Sequence, residues 1–325
     1  MGRRSIVRSG WKAAISYSPF GMAADSGTGY CAVNPGGGLM TKVFKWGGYA
    51  ILFILGVVVV AGATVWVLSS VKLNGRVAVH PERLAIPNAT QLADATRQLR
   101  VLRCADCHGG GLRGGVLFDD PKIARLYAPN LTLIAAKASD QEIARAIRQG
   151  IGIDGRALLA MPSATFSRLR DDEVATVIAA IRAISPGGSP TPPREIGPLG
   201  RIGLVTGKFH TQPDIIPEYA RKMPLDVGAE FSIGRHMAAS NCAECHGPDL
   251  TGGEPIPDIT APNLTIAGAY DLPAFTKLMR TGVPPGGRKL KLMGSIARDD
   301  FSQMTDAEIE SLYAYLQARA QRLNR

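Results

Sequence analysis

Two short segments of the sequence each place two cysteines and a histidine within five residues. They are CADCH at residues 104–108 and CAECH at residues 242–246. In a Cys-x-x-Cys-His segment, each thiol can form a thioether with a haem vinyl group, and the histidine becomes an axial ligand of the iron. The sequence therefore predicts two covalently bound haem c groups. The attachment and ligand residues of this prediction are Cys104, Cys107 and His108, with Cys242, Cys245 and His246.

Paired cysteines have other uses, which the prediction has to take into account. Cys-x-x-Cys is also the motif of thioredoxin-like redox sites and forms half of many zinc sites, so the four cysteines could bind one zinc ion or form disulfides. Against these alternatives, each pair is followed directly by histidine and glycine, and only Cys31 of the five cysteines lies outside the motifs. These features favour haem attachment.

An uncharged, strongly apolar segment runs from Trp46 to Val71. About 20 apolar residues suffice to cross a bilayer as a helix, and basic residues before such a helix favour a cytoplasmic N-terminus. We therefore predict a cytoplasmic segment at 1–45, a transmembrane anchor at 46–71 and a remainder outside the cytoplasm. A cleaved signal peptide is the alternative, because residues 61–63 (Ala-Gly-Ala) have the form of a cleavage site.

The segment before Met40 is rich in glycine and serine and lacks helix or strand periodicity. Met40 is followed by a short basic stretch and then by the apolar segment, so a translation start at Met40 is a hypothesis. Cys31 would then not be made. If Cys31 is made, we expect a linker thiol and not a ligand.

The net charge of +10 invites the hypothesis of a nucleic-acid or anionic-membrane partner. Residues 1–70 hold six of the 37 basic residues and one of the 27 acidic ones, which leaves 31 basic and 26 acidic residues for the rest. The propionates of two haems would offset most of this small excess. No nucleic-acid-binding motif is present in the sequence, so we predict no nucleic-acid partner.

The segments that follow the two motifs share five landmarks in the same order. The pairs are APNLT at 128–132 and 261–265, RxG at 148–150 and 280–282, GR at 155–156 and 287–288, Met161 and Met293, and FS at 166–167 and 301–302. The offset between partners changes little from one pair to the next, which fits small loop insertions. We infer an internal duplication.

Each copy is predicted to contain helices before the motif, between its loops and at its end. Apolar residues recur at helical spacing in these segments, and the last helix begins with the capping-box pattern Thr305-x-x-Glu308 in the second copy. A Pro- and Gly-rich stretch after residue 185 cannot continue a helix. The prediction is an all-α fold, with two tandem domains at 90–185 and 228–322 and an interdomain linker at 186–227.

Each haem needs a second axial ligand, for which we predict Met161 and Met293. Each lies five residues after the repeated Gly-Arg pair and before the last helix of its copy. A neutral thioether ligand raises the haem potential relative to two histidines. The alternative is that these methionines only fill the core. Met304 is the rival in the second copy, although it aligns with Leu169.

Four further residues are candidates for contacts around the haems. A metal-bound histidine usually donates its second ring N–H to an acceptor, and the loops at Pro129 and Pro262 can offer a carbonyl for this purpose. The alternative is that each proline stiffens a turn. Arg156 and Arg288 could pair with haem propionates, or they could be solvated loop residues.

Both copies resemble class I cytochrome c domains, which have Cys-x-x-Cys-His near the start, a Pro-Asn-Leu loop and a ligand methionine before the final helix. The loop sequences APNLT and AMPSATFS (residues 160–167), followed by an acidic helix start, resemble those of the cytochrome subunits of membrane-bound alcohol and gluconate dehydrogenases. The resemblance covers about residues 90–185 and 228–322. Those subunits carry three such domains, whereas this chain has two and an N-terminal anchor.

The motifs and the resemblance together imply a membrane-anchored dihaem electron carrier without catalysis of its own. It would transfer electrons between a periplasmic or membrane dehydrogenase and the respiratory chain, from the bacterial inner membrane with the haem domains facing the periplasm. One alternative is an electron-donating subunit of a terminal oxidase. Others are a haem enzyme with an open site, of the dihaem peroxidase or thiosulfate-oxidising type, and a redox-inert zinc module.

Overall fold

The computed structural model describes residues 37–256 and 259–324. Cys31 and most of the predicted cytoplasmic segment lie outside the described residues. The described chain is mostly helical, as predicted. Its α-helices are α1 (Gly37–Asn74), α2 (Ala89–Val101), α3 (Cys104–His108), α4 (Leu131–Ala135), α5 (Asp140–Gln149), α6 (Ser163–Phe166), α7 (Asp171–Arg182), α8 (Pro198–Thr206), α9 (Gln212–Arg221), α10 (Ser232–Asn241), α11 (Ala243–His246), α12 (Leu272–Thr281), α13 (Leu292–Asp299) and α14 (Asp306–Leu323). Short 3-10 helices cover Ala229–Phe231, Leu264–Ala269 and Phe301–Gln303.

Two small antiparallel sheets correct the prediction of an all-α fold. The first contains β1 (Gly115–Asp120), β2 (Ala124–Ala128) and β3 (Glu195–Ile196), and the second contains β4 (Gly253–Ile256) and β5 (Ile259–Ala261). Apart from β3, the strands lie in the stretch after a motif that the sequence indicated only as a long loop. All five strands are short. Such strands give too few alternations of apolar and polar residues to be recognised from the sequence.

Helix α1 is longer than the predicted anchor at 46–71, because it begins at Gly37 and ends at Asn74. Its Thr41–Asn74 portion is long and apolar enough to cross a membrane, by length and composition. The large apolar side chains between residues 43 and 60 are exposed. The helix therefore has the properties that a membrane anchor needs.

The last turns of α1 are held to α8 by polar contacts. The Lys72 Nζ atom donates to the Leu204 carbonyl oxygen over 3.2 Å, and Arg201 Nη1 donates to the hydroxyls of Ser69 and Ser70 over 2.9 and 3.0 Å. Leu204 and Arg201 both belong to α8. The C-terminal end of α1 is thus fixed by side chains from both helices.

Two hydrophobic cores correspond to the two copies of the repeat. The first core is built mainly by α2, α5 and α7, with Val174 and Ile178 buried at its centre. The second is built mainly by α10, α12 and α14, with Ile309 and Leu312 buried. The predicted capping box of α14 is confirmed, since Glu308 N donates to Thr305 Oγ1 and Thr305 N donates to the Glu308 carboxylate.

The two copies also contact each other directly. Val101, at the end of α2, belongs to the second core although its helix precedes the first motif. Arg97, one turn earlier, donates to both carboxylate oxygens of Glu308 over 2.7 and 2.9 Å. His236 Nε2 lies 2.8 Å from a carboxylate oxygen of Glu173. Polar and apolar contacts therefore join the copies.

The segment at 186–227, predicted as a linker, contains regular structure. Residues 186–194 have no helix or strand, in agreement with their proline and glycine content, but β3, α8 and α9 follow. Strand β3 pairs with β2, and the backbone N–H of Gln212 donates to the Leu158 carbonyl oxygen over 2.8 Å. Pro198 and Pro213 lie in the first turns of α8 and α9, where proline is tolerated, whereas Pro217 lies inside α9. Much of this segment thus packs onto the first copy.

Candidate haem sites

Each motif forms one turn of helix directly after a longer helix. The first motif is α3, and the last four residues of the second are α11. Residues three apart on a helix lie on the same side, so the two thiols of each motif can face one ligand. The four motif cysteines are free thiols of intermediate exposure. This is the arrangement that attachment to one planar group through two thioethers requires.

The two motif histidines make the same contact with the loop that carries the repeated proline. His108 Nδ1 lies 2.9 Å from the Pro129 carbonyl oxygen, and His246 Nδ1 lies 2.7 Å from the Pro262 carbonyl oxygen. A carbonyl only accepts, so each Nδ1 carries the proton and donates it, which leaves the lone pair of Nε2 available to a metal. Burial lowers the pKa of both imidazoles, against the opposing effect of the proline carbonyls. Both rings are therefore neutral near pH 7, as a ligand must be.

The backbone after each motif repeats closely. Gly114 N donates to the His108 carbonyl oxygen and Gly252 N donates to that of His246, each over 2.8 Å. Both glycines have φ in the left-handed range, +92° and +110°. A Cβ atom at Gly114 would lie 2.7 Å from the Ala128 carbonyl oxygen, and one at Gly252 would lie 2.9 Å from that of Ala261. Glycine at these positions lets the proline loop approach the motif, which brings its carbonyl to the histidine.

A cavity of about 320 Å³ opens beside the first motif. Cys104, Cys107, His108, Pro129 and Met161 all lie on its wall. Most of the remaining wall is apolar and comes from the first core and from the β1–β2 hairpin. The structure thus places together five of the residues that the sequence assigned to the first site.

A second cavity, of about 600 Å³, lies beside the second motif. Its wall contains the equivalent set of Cys242, Cys245, His246, Pro262 and Met293. Both volumes lie in the range of sites for organic ligands and cofactors, roughly 300–1,000 Å³.

The donor set of each cavity fits haem c better than zinc. Burial raises the pKa of Cys104 and of Cys242 to about 12. Among the described residues, no three His, Cys, Asp or Glu side chains converge on a possible metal site. Two thiols, an imidazole with a free Nε2 and a thioether sulphur along an apolar wall are the groups that a covalent haem would use.

The methionines differ in their local structure. Met161 lies in the loop before α6, whereas Met293 lies in the first turn of α13. Both are half-buried. Met304 is 1% exposed inside the second core and is not on the cavity wall, which is the position of a packing residue. Met279, which the sequence did not single out, is buried on the wall of the second cavity.

The two predicted arginines are placed differently from each other. Arg156 is not on the wall of the first cavity; it forms an exposed ion pair with Asp154 at 2.6 Å. Arg194 lies on that wall and is held by the Ala157 carbonyl oxygen at 2.7 Å. Arg288 does lie on the wall of the second cavity and is exposed. The sequence gave no signal for Arg194, because it lies in the segment that was predicted to be a linker.

Arg103 is the functional candidate that sequence reasoning missed most completely. It directly precedes the first motif, and it lies on the walls of both cavities. A basic residue beside a motif is too common in sequences to be informative. Arg103 reaches both cavities because the two copies contact each other, and this contact cannot be recognised from the sequence.

Comparison with known proteins agrees with this chemistry. Residues 231–320 match the model of the cytochrome c family. The chain is similar to the fructose dehydrogenase cytochrome subunit of Gluconobacter japonicus, with 24% identity over 250 residues that cover 66% of this chain and 50% of the relative. It is also similar to a subunit of the nicotinate dehydrogenase of Pseudomonas putida, with 28% identity over 164 residues that cover 46% of this chain and 14% of the relative. The chain thus spans half the length of the first relative and a small part of the second.

Proposed function

We propose, from the premise that residues 231–320 form a cytochrome c domain, that this chain is a membrane-anchored dihaem c-type cytochrome. It receives electrons from a dehydrogenase and passes them to the respiratory chain. The dehydrogenase assignment is supported by the two relatives, whose names describe a dehydrogenase cytochrome subunit and a dehydrogenase subunit. A terminal oxidase is the alternative partner.

The observation that carries the proposal is the repeated contact between a motif histidine and a proline carbonyl on the wall of a cavity. It occurs at His108 with Pro129 and at His246 with Pro262. We assign one haem c to each cavity, in two cytochrome c domains at 90–185 and 228–322. The family match supports the second domain, and the repetition of its motif, backbone and cavity in the first copy supports the first.

Each side chain then has a defined task. The four motif thiols would attach the two haems covalently, and His108 and His246 would each bind an iron through Nε2. Met161 and Met293 would supply a thioether ligand from the cavity wall. When bound, haem c supplies reversible one-electron oxidation and reduction. With a histidine and a methionine both bound, no ligand position would be left for a substrate, so catalysis would belong to the partner.

The carbonyls of Pro129 and Pro262 hold the two imidazole rings in one orientation and in one tautomer. An imidazole that donates its Nδ1 proton in a hydrogen bond is more basic at Nε2, and it therefore gives more electron density to a metal bound there. We further propose that α1 anchors the chain in the bacterial inner membrane, with both haem domains on the periplasmic side.

Haem content tests the proposal directly. The protein is produced in a bacterium with an active cytochrome c maturation system, and haem is counted per chain by the pyridine haemochrome assay. We expect two haems in the parent, one in the Cys104→Ala/Cys107→Ala variant and one in the Cys242→Ala/Cys245→Ala variant. A parent without covalent haem, or two haems in either variant, contradicts the proposal.

The partner is tested by affinity purification of a C-terminally tagged chain from gently solubilised membranes. Recovery of a quinoprotein or flavoprotein dehydrogenase supports the donor that we propose. Recovery of oxidase subunits without a dehydrogenase would place the chain at the oxygen end of the respiratory chain and would contradict that part of the proposal.

A further inference from the structure

Arg103 and Glu244 form an ion pair that crosses between the two candidate haem sites. The Arg103 guanidinium donates to the Glu244 carboxylate. Arg103 directly precedes the first motif but also lies on the wall of the second cavity. Glu244 lies inside the second motif but is on the wall of the first cavity. Each member of the pair therefore reaches the cavity of the other copy.

The position of Arg103 is central to both sets of thiols. Its side chain is 16% exposed, so solvent screens its charge only in part. It lies on the wall of the first cavity with Cys104 and Cys107 and on the wall of the second cavity with Cys242 and Cys245. The two motifs therefore lie on either side of one guanidinium.

The backbone of Arg103 adopts a conformation that is unfavourable for a residue with a side chain. Its φ is +59° and its ψ is +28°, the left-handed helical region. A residue with a Cβ is disfavoured there, whereas glycine is not penalised. At the equivalent position of the second copy, directly before the second motif, stands the neutral Asn241. Of these two equivalent positions, only the one in the first copy carries a charge, and the charged side chain lies on the walls of both cavities.

Building on the proposed function, we propose that Arg103 is a tuning residue for both haem sites at once. With Glu244 it forms a single charge pair that sets the reduction potentials of the two sites together. This goes beyond the assignment of ligands, because a change at one residue of the first copy then alters the redox properties of the second copy as well.

The physical reason is the sign of the charge. The oxidised form of each site carries one more positive charge than the reduced form, so a nearby guanidinium disfavours oxidation and raises the potential. The Glu244 carboxylate acts in the opposite direction. Arg103 lies on the walls of both cavities, and Glu244 lies on the wall of the first cavity and inside the motif of the second, so each should act on both potentials.

The test is a spectroelectrochemical titration of the detergent-solubilised holoprotein, which should show two one-electron steps. We compare the parent with Arg103→Gln, with Glu244→Gln and with the double variant. Arg288→Gln is the matched control, because it makes the same chemical change at a residue that lies on the wall of the second cavity alone. The titration is made at pH 5.5, and haem is counted in every sample.

We expect Arg103→Gln to lower both midpoint potentials and Glu244→Gln to raise both, with the double variant between them. Arg288→Gln should move one step only. A shift of one step in Arg103→Gln, or shifts of the same sign in Arg103→Gln and Glu244→Gln, overturns the shared-tuning proposal, because loosening of the structure would act in that way. Fewer than two haems in the parent would instead contradict the proposed function, so the two failures are distinguishable.

Discussion

Replacing Asp300 with asparagine should remove most of a loss of stability that the protein suffers as the pH rises from about 4 to about 8. Asp300 is 1% exposed, at the end of α13. No donor among the described residues contacts either of its carboxylate oxygens. It faces Asp106 of the first motif, and two neighbouring carboxyl groups disfavour ionisation of each other. The folded protein therefore favours the protonated form of Asp300.

The expected magnitude follows from its ionisation. Burial, followed by the negative charge of Asp106, raises the pKa of Asp300 to about 7, with Arg103 opposing and Asp299 reinforcing the rise. In the unfolded chain the ordinary value of about 3.9 applies. Between these two values the unfolded chain has lost the proton and the folded chain has kept it, so the free energy of unfolding falls as the pH rises. At about 1.4 kcal/mol for each tenfold change in the ionisation constant, the loss is on the order of 4 kcal/mol by pH 8.

The assay is urea unfolding of the holoprotein in detergent at pH 5 and at pH 8. Asparagine resembles the protonated acid in shape. The free energy of unfolding of Asp300→Asn should therefore exceed that of the parent by about 1.5 kcal/mol at pH 5, where part of the loss has already occurred, and by about 4 kcal/mol at pH 8, with correspondingly higher urea midpoints. Asp299→Asn is the matched control: Asp299 is exposed and makes the smallest of the named contributions to the pKa of Asp300, so this variant should lose nearly as much stability as the parent between pH 5 and pH 8. Equal midpoints for Asp300→Asn and the parent at pH 8, or an equal gain at both pH values, would refute the reasoning.

Three further changes test the site and its support. Met161→Ala should keep both haems but lower one midpoint potential and allow carbon monoxide to bind the reduced protein; an unchanged titration would exclude Met161 as a ligand. Gly252→Ala should displace the loop that contacts the second motif histidine, because the added Cβ would lie 2.9 Å from the Ala261 carbonyl oxygen, and it should shift one midpoint potential. Gly286→Ala is the control: Gly286 also has a positive φ but has open space around it, so this change should shift neither potential. Leu250→Ala removes a fully buried side chain and should lower the free energy of unfolding by about 3 kcal/mol in urea titrations; a loss below about 1 kcal/mol would show that the second core tolerates the cavity.

The local chemistry of the sites could be predicted from the sequence because it depends on residues that are close along the chain. The Cys-x-x-Cys-His spacing places two thiols and an imidazole on one helical turn, and no distant contact is needed to recognise it. The APNLT repeat drew attention to Pro129 and Pro262, and their carbonyls do contact the motif histidines. Repetition within one sequence gave these positions more weight than a single occurrence would have.

Contacts between distant segments could not be predicted. Arg194 reaches the first cavity only because β3 pairs with β2, an association of two strands that are far apart along the chain. Arg103 and Glu244 likewise come from different copies of the repeat. Arg156 has the right residue type and spacing but is held by Asp154, two residues away, and spacing along the chain carries no information about this competition.

The polar contacts at the end of α1 have a consequence for how this protein would meet its partners. A domain on a flexible linker samples many heights and orientations above a membrane, and it can shuttle between distant partners. Here Arg201 and Lys72 connect the last turns of α1 to α8, and Arg194 also donates to the Leu73 carbonyl oxygen. If α1 spans the bilayer and the two cavities hold haem, as proposed, these contacts fix the last turns of α1 directly to the part of the chain that carries the cavities. Electron exchange would then be restricted to complexes whose own redox centre is presented close to the membrane surface, and the search for a partner would reduce to lateral diffusion in two dimensions.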